Sequence, residues 1–179
     1  MKILSLFDGM SVVQQALKNL KFENIECYSS EIDKYATTIK NHPETKQLGS
    51  VVGLSVNFQP YLMIGGSPCQ DLSIAKKGGQ GLNGEKSGLF WQMIRIHKEC
   101  KPKYFIYENV ASMKKEWRQK MLEAIQLIEP NAYCIEINAA LVSAQNRRRL
   151  FFTNIPNIQQ PQDKQIKLCD ILEEEVSEK

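Results

Sequence analysis

The sequence is poor in the residues that bind metals and in the apolar runs that cross membranes. It has two histidines, His42 and His97, and its five cysteines form no Cys-x-x-Cys pair. These counts argue against a zinc site. Scattered free thiols are typical of a reducing compartment, so we expect a cytoplasmic protein. No apolar run approaches a membrane span, and "KILSLF" after Met1 is too short for the core of a secretory signal.

The net charge is also low. The 23 Lys and Arg residues exceed the 20 Asp and Glu residues by three, which is weak support for a polyanionic partner. At 179 residues the chain is long enough for one domain with a sizeable core, and it shows no internal repeats. Composition alone therefore indicates an ordinary globular domain and leaves its function open.

Short apolar runs alternate with longer amphipathic stretches along most of the chain. The apolar runs predict strands, and the stretches with helical spacing predict helices. The predicted strands are residues 2–7, 25–30, 61–66, 104–109, 133–138 and 149–155. The predicted helices are residues 14–20, 33–42, 88–100 and 115–128. This alternation is typical of an α/β fold with a mostly parallel, doubly wound sheet.

Polar residues follow several predicted strands, at the sheet edge where such folds bind ligands. "FDGMS" follows the first strand, Glu31 the second and "GGSPCQ" the third, while "ENV" ends the fourth. Cys69 is prominent because Pro68 makes its turn rigid, and Gly65 and Gly66 permit close approach. A thiolate on such a turn is a candidate nucleophile, whereas the other four cysteines are expected to be buried structural residues.

Two further groups of charged residues could take part in chemistry. Glu108 ends an apolar strand, where a carboxylate is costly unless it has a partner or a proton to transfer. Gln145, Arg147 and Arg149 alternate and are predicted to share one face of a strand, which suits binding of phosphate or carboxylate. A strand-capping glutamate paired with an arginine, and a solvated, charged edge strand, are the alternative interpretations.

The pattern at the first two strands is less specific. A glycine turn after one strand and an acidic residue after the next are typical of nucleotide-cofactor sites, where the carboxylate binds ribose hydroxyls. Many α/β proteins have this pair by chance. Residues 74–87, rich in Gly and Lys, are predicted to form a mobile loop after Cys69, with a plain connector as the alternative.

The segments "LSLFDGMS", "SEID", "GGSPCQ", "GLF", "ENV" and "QNRRRLFF", in this order and spacing, resemble the cytosine-C5 DNA methyltransferase family over nearly the whole chain. The resemblance implies a Rossmann-like methyltransferase fold with one antiparallel strand near a sheet edge. It implies a catalytic core over residues 1–157, followed at 158–179 by a linker or the start of a target-recognition region. DNA would be the substrate, S-adenosylmethionine the cofactor, and the cytoplasm of a bacterial or phage-infected cell the setting.

The resemblance also implies catalytic roles for five residues. Cys69 would add to carbon 6 of a flipped-out cytosine and so activate carbon 5, with residues 74–87 closing over the base. Glu108 would bind the base at N3 and its amino group. Arg147 would reach the same pocket and orient both the base and Glu108. Gln145 and Arg149 complete the catalytic set.

The cofactor would lie beside the first two strands. Phe7 would stack on the adenine, and Glu31 would hold the ribose. The other residues that the resemblance assigns to the cofactor are Asp8, Gly9, Ser11, Ile32, Ser50, Gly66, Pro68 and Leu89. No metal site is implied.

The chain departs from the family pattern on the cofactor side. Val13 stands where the family has a glycine, and Ser50 where it has an aspartate that holds the adenine amino group. Family members also continue beyond the arginine strand into a target-recognition region and a last helix that packs against the first turn. Some members are split across two chains, so we expect a second chain, or a second copy of this one, to supply these parts. We therefore expect weak or absent cofactor binding by the isolated chain.

Two other interpretations stay open. A methyltransferase fold that no longer uses the cofactor would act as a nucleic-acid-binding or protein-interaction module. One branch of the family modifies transfer RNA, which makes RNA methylation a third possibility, although the "SPCQ" turn is closer to the DNA branch.

Overall fold

The structure is a computed structural model that describes residues 1–33, 38–69, 82, 84, 86 and 88–172. In this part of the chain one seven-stranded sheet is accompanied by four α-helices. The strands are β1 (Lys2–Leu6), β2 (Glu26–Ser30), β3 (Lys46–Gln47), β4 (Leu62–Gly65), β5 (Tyr104–Val110), β6 (Tyr133–Asn138) and β7 (Arg148–Thr153). The helices are α1 (Val12–Asn19), α2 (Thr38–Asn41), α3 (Leu89–Cys100) and α4 (Lys115–Gln126). Within the described residues, no helix is long and apolar enough to cross a membrane.

The sheet has the order β3-β2-β1-β4-β5-β7-β6. Strand β7 runs antiparallel to both of its neighbours, and the other pairs are parallel. The predicted α/β architecture, with one antiparallel strand next to an edge, is therefore confirmed. Each predicted strand is present among the described residues, as are the helices predicted at 14–20, 88–100 and 115–128. Of the helix predicted over 33–42 the structure shows Thr38–Asn41, and residues 34–37 lie outside the described residues. Strand β3 has only two residues and is too short for a sequence pattern to reveal.

The main core lies on one face of the sheet, between the central strands and helices α3 and α4. Because side chains alternate between the faces of a strand, Leu4 and Leu6 enter this core from β1 while Ser5 faces away. The other fully buried members include Met63, Phe90, Met93, Ile96, Phe105, Tyr107, Met121, Ile125 and Phe152. This core fixes the central strands and so fixes the residues that follow them.

A buried network of hydrogen-bonded side chains connects β5 to helix α3. His97 on α3 is 1% exposed, and its Nδ1 lies 2.5 Å from the Tyr107 hydroxyl on β5. Its Nε2 lies 3.1 Å from Oε1 of Glu129. Because a carboxylate only accepts, Nε2 carries the proton and Nδ1 accepts from the tyrosine. Burial lowers the pKa of His97, against the opposing effect of Glu129, and burial raises the pKa of Tyr107 well above its usual value.

The segment after β7 lies against the edge strand β6. The side chain of Gln160 donates to the carbonyl of Glu136 at 2.7 Å. The backbone N–H of Lys164 donates to the carbonyl of Leu141 at 2.8 Å. These contacts cover part of the free edge. The division of the chain at residues 157 and 158 stays a prediction.

Candidate active site

The predicted ligand edge is formed by the carboxyl ends of four parallel strands. In the register of the sheet, Leu6 lies opposite both Ser30 and Gly65, and Gly65 lies opposite Tyr107. Glu31, "FDGMS", the Gly66 turn and Glu108 therefore follow one another across the same edge, as the strand predictions require.

Three neighbouring strands place a glycine, a carboxylate and a guanidinium in a row. Glu108 on β5 faces Gly66 at the end of β4 and lies diagonally across from Arg149 on β7. A Cβ on Gly66 would lie 2.9 Å from Oε2 of Glu108, so the missing side chain makes room for the carboxylate. Gly66 thus packs against Glu108, and its expected contact with the cofactor stays a prediction.

The partner of Glu108 is Arg149. The Arg149 Nε lies 2.6 Å from Oε1 of Glu108, and the two side chains are 21% and 36% exposed. Arg149 also donates from Nη1 to the carbonyl of Arg148 at 2.9 Å. Arg149, and not the expected Arg147, contacts Glu108 in this structure, and the role of Arg147 in orienting the base and Glu108 stays a prediction. Strand β7 begins at Arg148, and antiparallel pairing brings Arg149 opposite Val110, on the Glu108 face of β5.

We predicted that Gln145, Arg147 and Arg149 share one face of a strand. In the structure Gln145 and Arg147 precede β7, so only Arg149 lies on the strand. The Asn138 side chain at the end of β6 accepts from the Arg147 N–H at 3.0 Å and donates to Oδ1 of Asn146 at 2.9 Å. This amide holds the loop outside the sheet. An open cleft of about 400 Å³ results, lined by Ala111, Ser112, Gln145, Asn146, Arg147, Arg148 and Arg149. The three predicted residues thus meet at this cleft.

Cys69 ends the turn after β4 and has a free, half-buried thiol. The turn is tied to β5 by Asn109, which donates to the backbone carbonyl of Ser67 at 3.3 Å. Sequence reasoning missed Asn109, although it stands in the "ENV" motif. Most of the predicted loop at 74–87 lies outside the described residues.

A second cleft, of about 210 Å³, opens beside the first two strands. Six of the residues predicted for the cofactor line it, namely Phe7, Glu31, Ile32, Ser50, Pro68 and Leu89. Ser30, Gly49, Val51 and Val52 also line it and carried no sequence signal. An aromatic ring, a carboxylate and several apolar side chains therefore share one cleft, a combination that suits a nucleoside.

The Glu31 carboxylate organises the backbone around this cleft. Its Oε2 accepts from the N–H of Gly9 at 2.9 Å. Its Oε1 accepts from the N–H groups of Ile32 and Asp33 at 2.7 and 2.8 Å. A carboxylate has about four acceptor positions, so one remains for a ligand hydroxyl. Gly9, at φ +54, thus helps to shape the site through its backbone.

The side chains of Asp8 and Ser11 point inward from the first turn, residues 7–11, and do not line the cleft, whereas we expected both residues to contact the cofactor. Both are buried, and Asp8 accepts hydrogen bonds from four side chains: Ser5, Ser11, Gln14 and Ser29. The backbone of this turn is strained, because its first and last residues, Phe7 and Ser11, have φ values of 58° and 62°. A carboxylate with four donors can hold such a backbone, and strain of this kind is concentrated at functional sites.

The two departures from the expected cofactor pattern have different surroundings. Val13 lies in the first turn of α1 and is not among the residues that line the second cleft. Ser50 does line it, and its Oγ accepts from the N–H of Val52 at 3.0 Å. Of the two substitutions, Ser50 is the one positioned to meet a ligand.

The outer face of α1 carries an apolar stripe, formed by Val12, Ala16 and Leu20 at helical spacing together with Met10. Met10, Val12 and Leu20 are 69%, 62% and 69% exposed. In the described part of the chain this face is uncovered. We name it the α1 stripe.

Comparison with known proteins agrees with this geometry. A family model described as C-5 cytosine-specific DNA methylase matches residues 1–179. The chain belongs to this family. The fold is therefore that of a cytosine-C5 methylase chain, as the resemblance implied, while the roles of Cys69, Glu108 and Arg149 stay predictions.

Individual relatives agree with this family assignment. Orphan methyltransferase M.SPRI of Bacillus phage SPR is 32% identical over 87% of the chain. Type II methyltransferase M.Sau3AI of Staphylococcus aureus is 31% identical over 84%. The chain spans 38% and 42% of the length of these two relatives.

A solved structure supports the fold. It comes from a prophage of E. coli and is assigned there to a DNA modification methyltransferase. It superposes with a TM-score of 0.66, covers 86% of this chain and 46% of its own, and is 23% identical. The predicted Rossmann-like methyltransferase fold is confirmed.

Proposed function

We propose that this chain transfers a methyl group to carbon 5 of cytosine in DNA through a covalent bond between Cys69 and carbon 6 of the base. One observation carries the proposal: Glu108, fixed by Arg149 at 2.6 Å, lies beside the turn that leads to Cys69. A nucleophile next to a carboxylate with a set orientation is what activation of a cytosine ring requires.

The chemistry assigns a separate step to each side chain. The Cys69 thiolate bonds to carbon 6, and the electron pair of the carbon 5–carbon 6 double bond makes carbon 5 nucleophilic. Glu108 binds N3 and the amino group, which favours this electron flow by holding a proton at N3. Arg149 keeps Glu108 in place. After methylation, loss of the carbon 5 proton expels the Cys69 sulfur and restores the double bond.

The second cleft would hold S-adenosylmethionine, which supplies the methyl group when bound. Phe7 offers a ring for the adenine, and Glu31 keeps one acceptor position for a ribose hydroxyl. Ser50 offers a neutral hydroxyl where a carboxylate would bind the adenine amino group more strongly. We infer that the isolated chain binds this cofactor weakly.

The substrate base would be flipped out of DNA, because Cys69 cannot reach carbon 6 inside a stacked duplex. The arginine-lined cleft at Gln145 and Arg147 offers donors for base edges and phosphates. We further propose that a second polypeptide covers the α1 stripe beside the cofactor cleft. The exposure of Val12 and Leu20 supports this proposal, since contiguous apolar surface of this kind marks interaction sites.

A hydrogen-exchange assay tests the proposal without the cofactor. Reversible addition of Cys69 to carbon 6 lets carbon 5 exchange its hydrogen with water, so DNA tritiated at carbon 5 of cytosine should release tritium. We expect release with the wild-type chain and none with Cys69→Ser. Cys169→Ser, at an exposed cysteine, is the matched control and should behave as wild type.

DNA binding is measured in parallel by gel shift, so that binding and chemistry are read separately. Bound DNA without tritium release, or release that persists in Cys69→Ser, would contradict the covalent step. Bound DNA without release would instead favour a binding module of the same fold, which the serine at position 50 and the uncovered α1 stripe also fit.

A further inference from the structure

The side chain of Asn109 connects the strand of Glu108 to the turn of Cys69. Its Nδ2 donates to the Ser67 carbonyl at 3.3 Å and lies 3.4 Å from the Ser67 Oγ. Its Oδ1 accepts from the N–H of Val110 at 2.9 Å. Both ends of the amide are therefore used, one on the strand and one on the turn.

Both partners are shielded from water. Asn109 is 1% exposed and Ser67 is 4% exposed. A buried polar group that loses its partner cannot replace it with solvent, so the link is costly to break even though its hydrogen bonds are long. Nothing in catalysis at a cytosine uses this amide directly, because Asn109 points to the face of β5 opposite Glu108.

The hydrogen bond from Asn109 to Ser67 lies close enough to Cys69 in the chain to restrict the position of its thiol. Pro68 alone separates Ser67 from Cys69, and its ring fixes its own φ angle, one of the backbone angles that join the two residues. A constraint on Ser67 is therefore passed to Cys69 with little slack. On the other side of the link, Asn109 is the direct chain neighbour of Glu108.

We propose that Asn109 is a positioning residue that holds Cys69 at a fixed place relative to Glu108 by anchoring Ser67. The inference rests on the proposed function in that both groups are taken to act on one base. Asn109 acts through its hydrogen bond to Ser67, so the two residues position Cys69 together.

The alkylation rates of individual cysteines in the whole chain test whether Asn109 and Ser67 position Cys69. The variants Asn109→Ala and Ser67→Ala are treated with iodoacetamide, and the rate at each cysteine is followed by peptide mass spectrometry. Asn154→Ala is the matched control. Its side chain also supports β5, by accepting from the Phe105 N–H at 3.1 Å, but at the end of the strand away from Cys69.

In Asn109→Ala we expect alkylation of Cys69 to rise about fivefold, since loss of about one hydrogen bond frees the turn. The smaller change Ser67→Ala keeps the carbonyl acceptor and should give a smaller rise in the same direction. Cys100 reports unfolding, because burial raises the pKa of its thiol to about 12 and keeps it unreactive in the folded chain. Its rate should not change. An unchanged Cys69 rate would overturn the proposal, as would a joint rise of Cys69 and Cys100 matching that of Asn154→Ala.

The tritium assay separates this inference from the proposed function. If wild type releases tritium, Asn109→Ala should release it about tenfold more slowly at saturating DNA with little change in KM, the signature of lost alignment. If wild type releases none, the proposed function fails, while the alkylation rates still decide whether Asn109 holds the thiol.

Discussion

Glu108 and Glu31 both stand at the same edge of the sheet, but their carboxylates are held in different ways. Glu108 pairs with a guanidinium from a neighbouring strand, 41 residues further along the chain. Glu31 binds three backbone N–H groups, two of them within its own turn. The first carboxylate is fixed by the pairing of strands, and the second by loops.

This difference extends to the surroundings of each carboxylate. The base side, with Gly66, Glu108 and Arg149, is built by three paired strands over a continuous core. The proposed cofactor side depends on the turns around Phe7 and Ser50, and the α1 stripe, which begins at Met10 in the first of these turns, is uncovered among the described residues. Among the described residues, the proposed base side is therefore held by paired strands, whereas the proposed cofactor side is held by turns and is the side for which we propose a second polypeptide.

The largest effect is expected from removing the cation that orients Glu108. Arg149→Ala should lower the rate of tritium release about 100-fold, the typical cost of one oriented charged partner. Arg147→Ala should cost about tenfold, since Arg147 lines the cleft without contacting Glu108. Both rates are measured at saturating DNA. A larger loss in Arg147→Ala than in Arg149→Ala would show that the base side rearranges when DNA binds.

Gly66→Ala tests how closely the carboxylate packs against β4. The new Cβ would lie 2.9 Å from Oε2 of Glu108, so we expect a loss of about 1–2 kcal/mol in the free energy of unfolding. In a Glu108→Ala background the space is free, and the same change should cost much less. Urea denaturation of the four variants in this cycle gives the coupling energy. Equal losses in both backgrounds would mean that another contact limits the site.

The buried network between β5 and α3 predicts a pH dependence of stability. Because burial lowers the pKa of His97 below its ordinary 6.5, the unfolded chain takes up this proton at a higher pH than the folded chain does. The His97 contribution is thus fully present above pH 6.5 and declines as pH falls toward the folded pKa. Thermal unfolding across this range should show a falling Tm in wild type and a flatter curve in His97→Gln. Parallel curves would assign the slope to other groups.

The smallest effect is expected on the α1 stripe. Val12→Lys and Leu20→Lys should change the free energy of unfolding by less than about 0.5 kcal/mol, because these side chains are exposed in the described chain. Leu17→Lys, at a buried position on the same helix, should be strongly destabilising and serves as the control. A large loss in Val12→Lys would show that this chain already covers the stripe, alone or as an oligomer.

The sequence was informative wherever a pattern is local. Alternation of apolar runs predicted strands β1, β2, β4, β5, β6 and β7, and the polar residues at the carboxyl ends of β1, β2, β4 and β5 did meet at one edge. Register is not local, so no sequence pattern shows whether Arg147 or Arg149 lies at Glu108, and the family resemblance gave that role to Arg147. The two arginines differ only in which one lies beside β5, and antiparallel pairing decides that.

Burial was equally hard to predict. Asp8 reads as a cofactor ligand in "FDGMS", yet its carboxylate lies beneath the turn because donors from β1, β2 and α1 surround it. Asn109 was overlooked for the opposite reason. A neutral amide beside a glutamate draws no attention until its partner Ser67, 42 residues away, is known.

Calorimetric titration of the isolated chain with S-adenosylmethionine tests the central contrast most directly. An incomplete cofactor side, with Ser50 in the cleft and an uncovered α1 stripe, predicts no saturation of the binding heat in the micromolar range of ligand. Binding in the micromolar range would contradict the account, because the described chain would then complete both sides of its site.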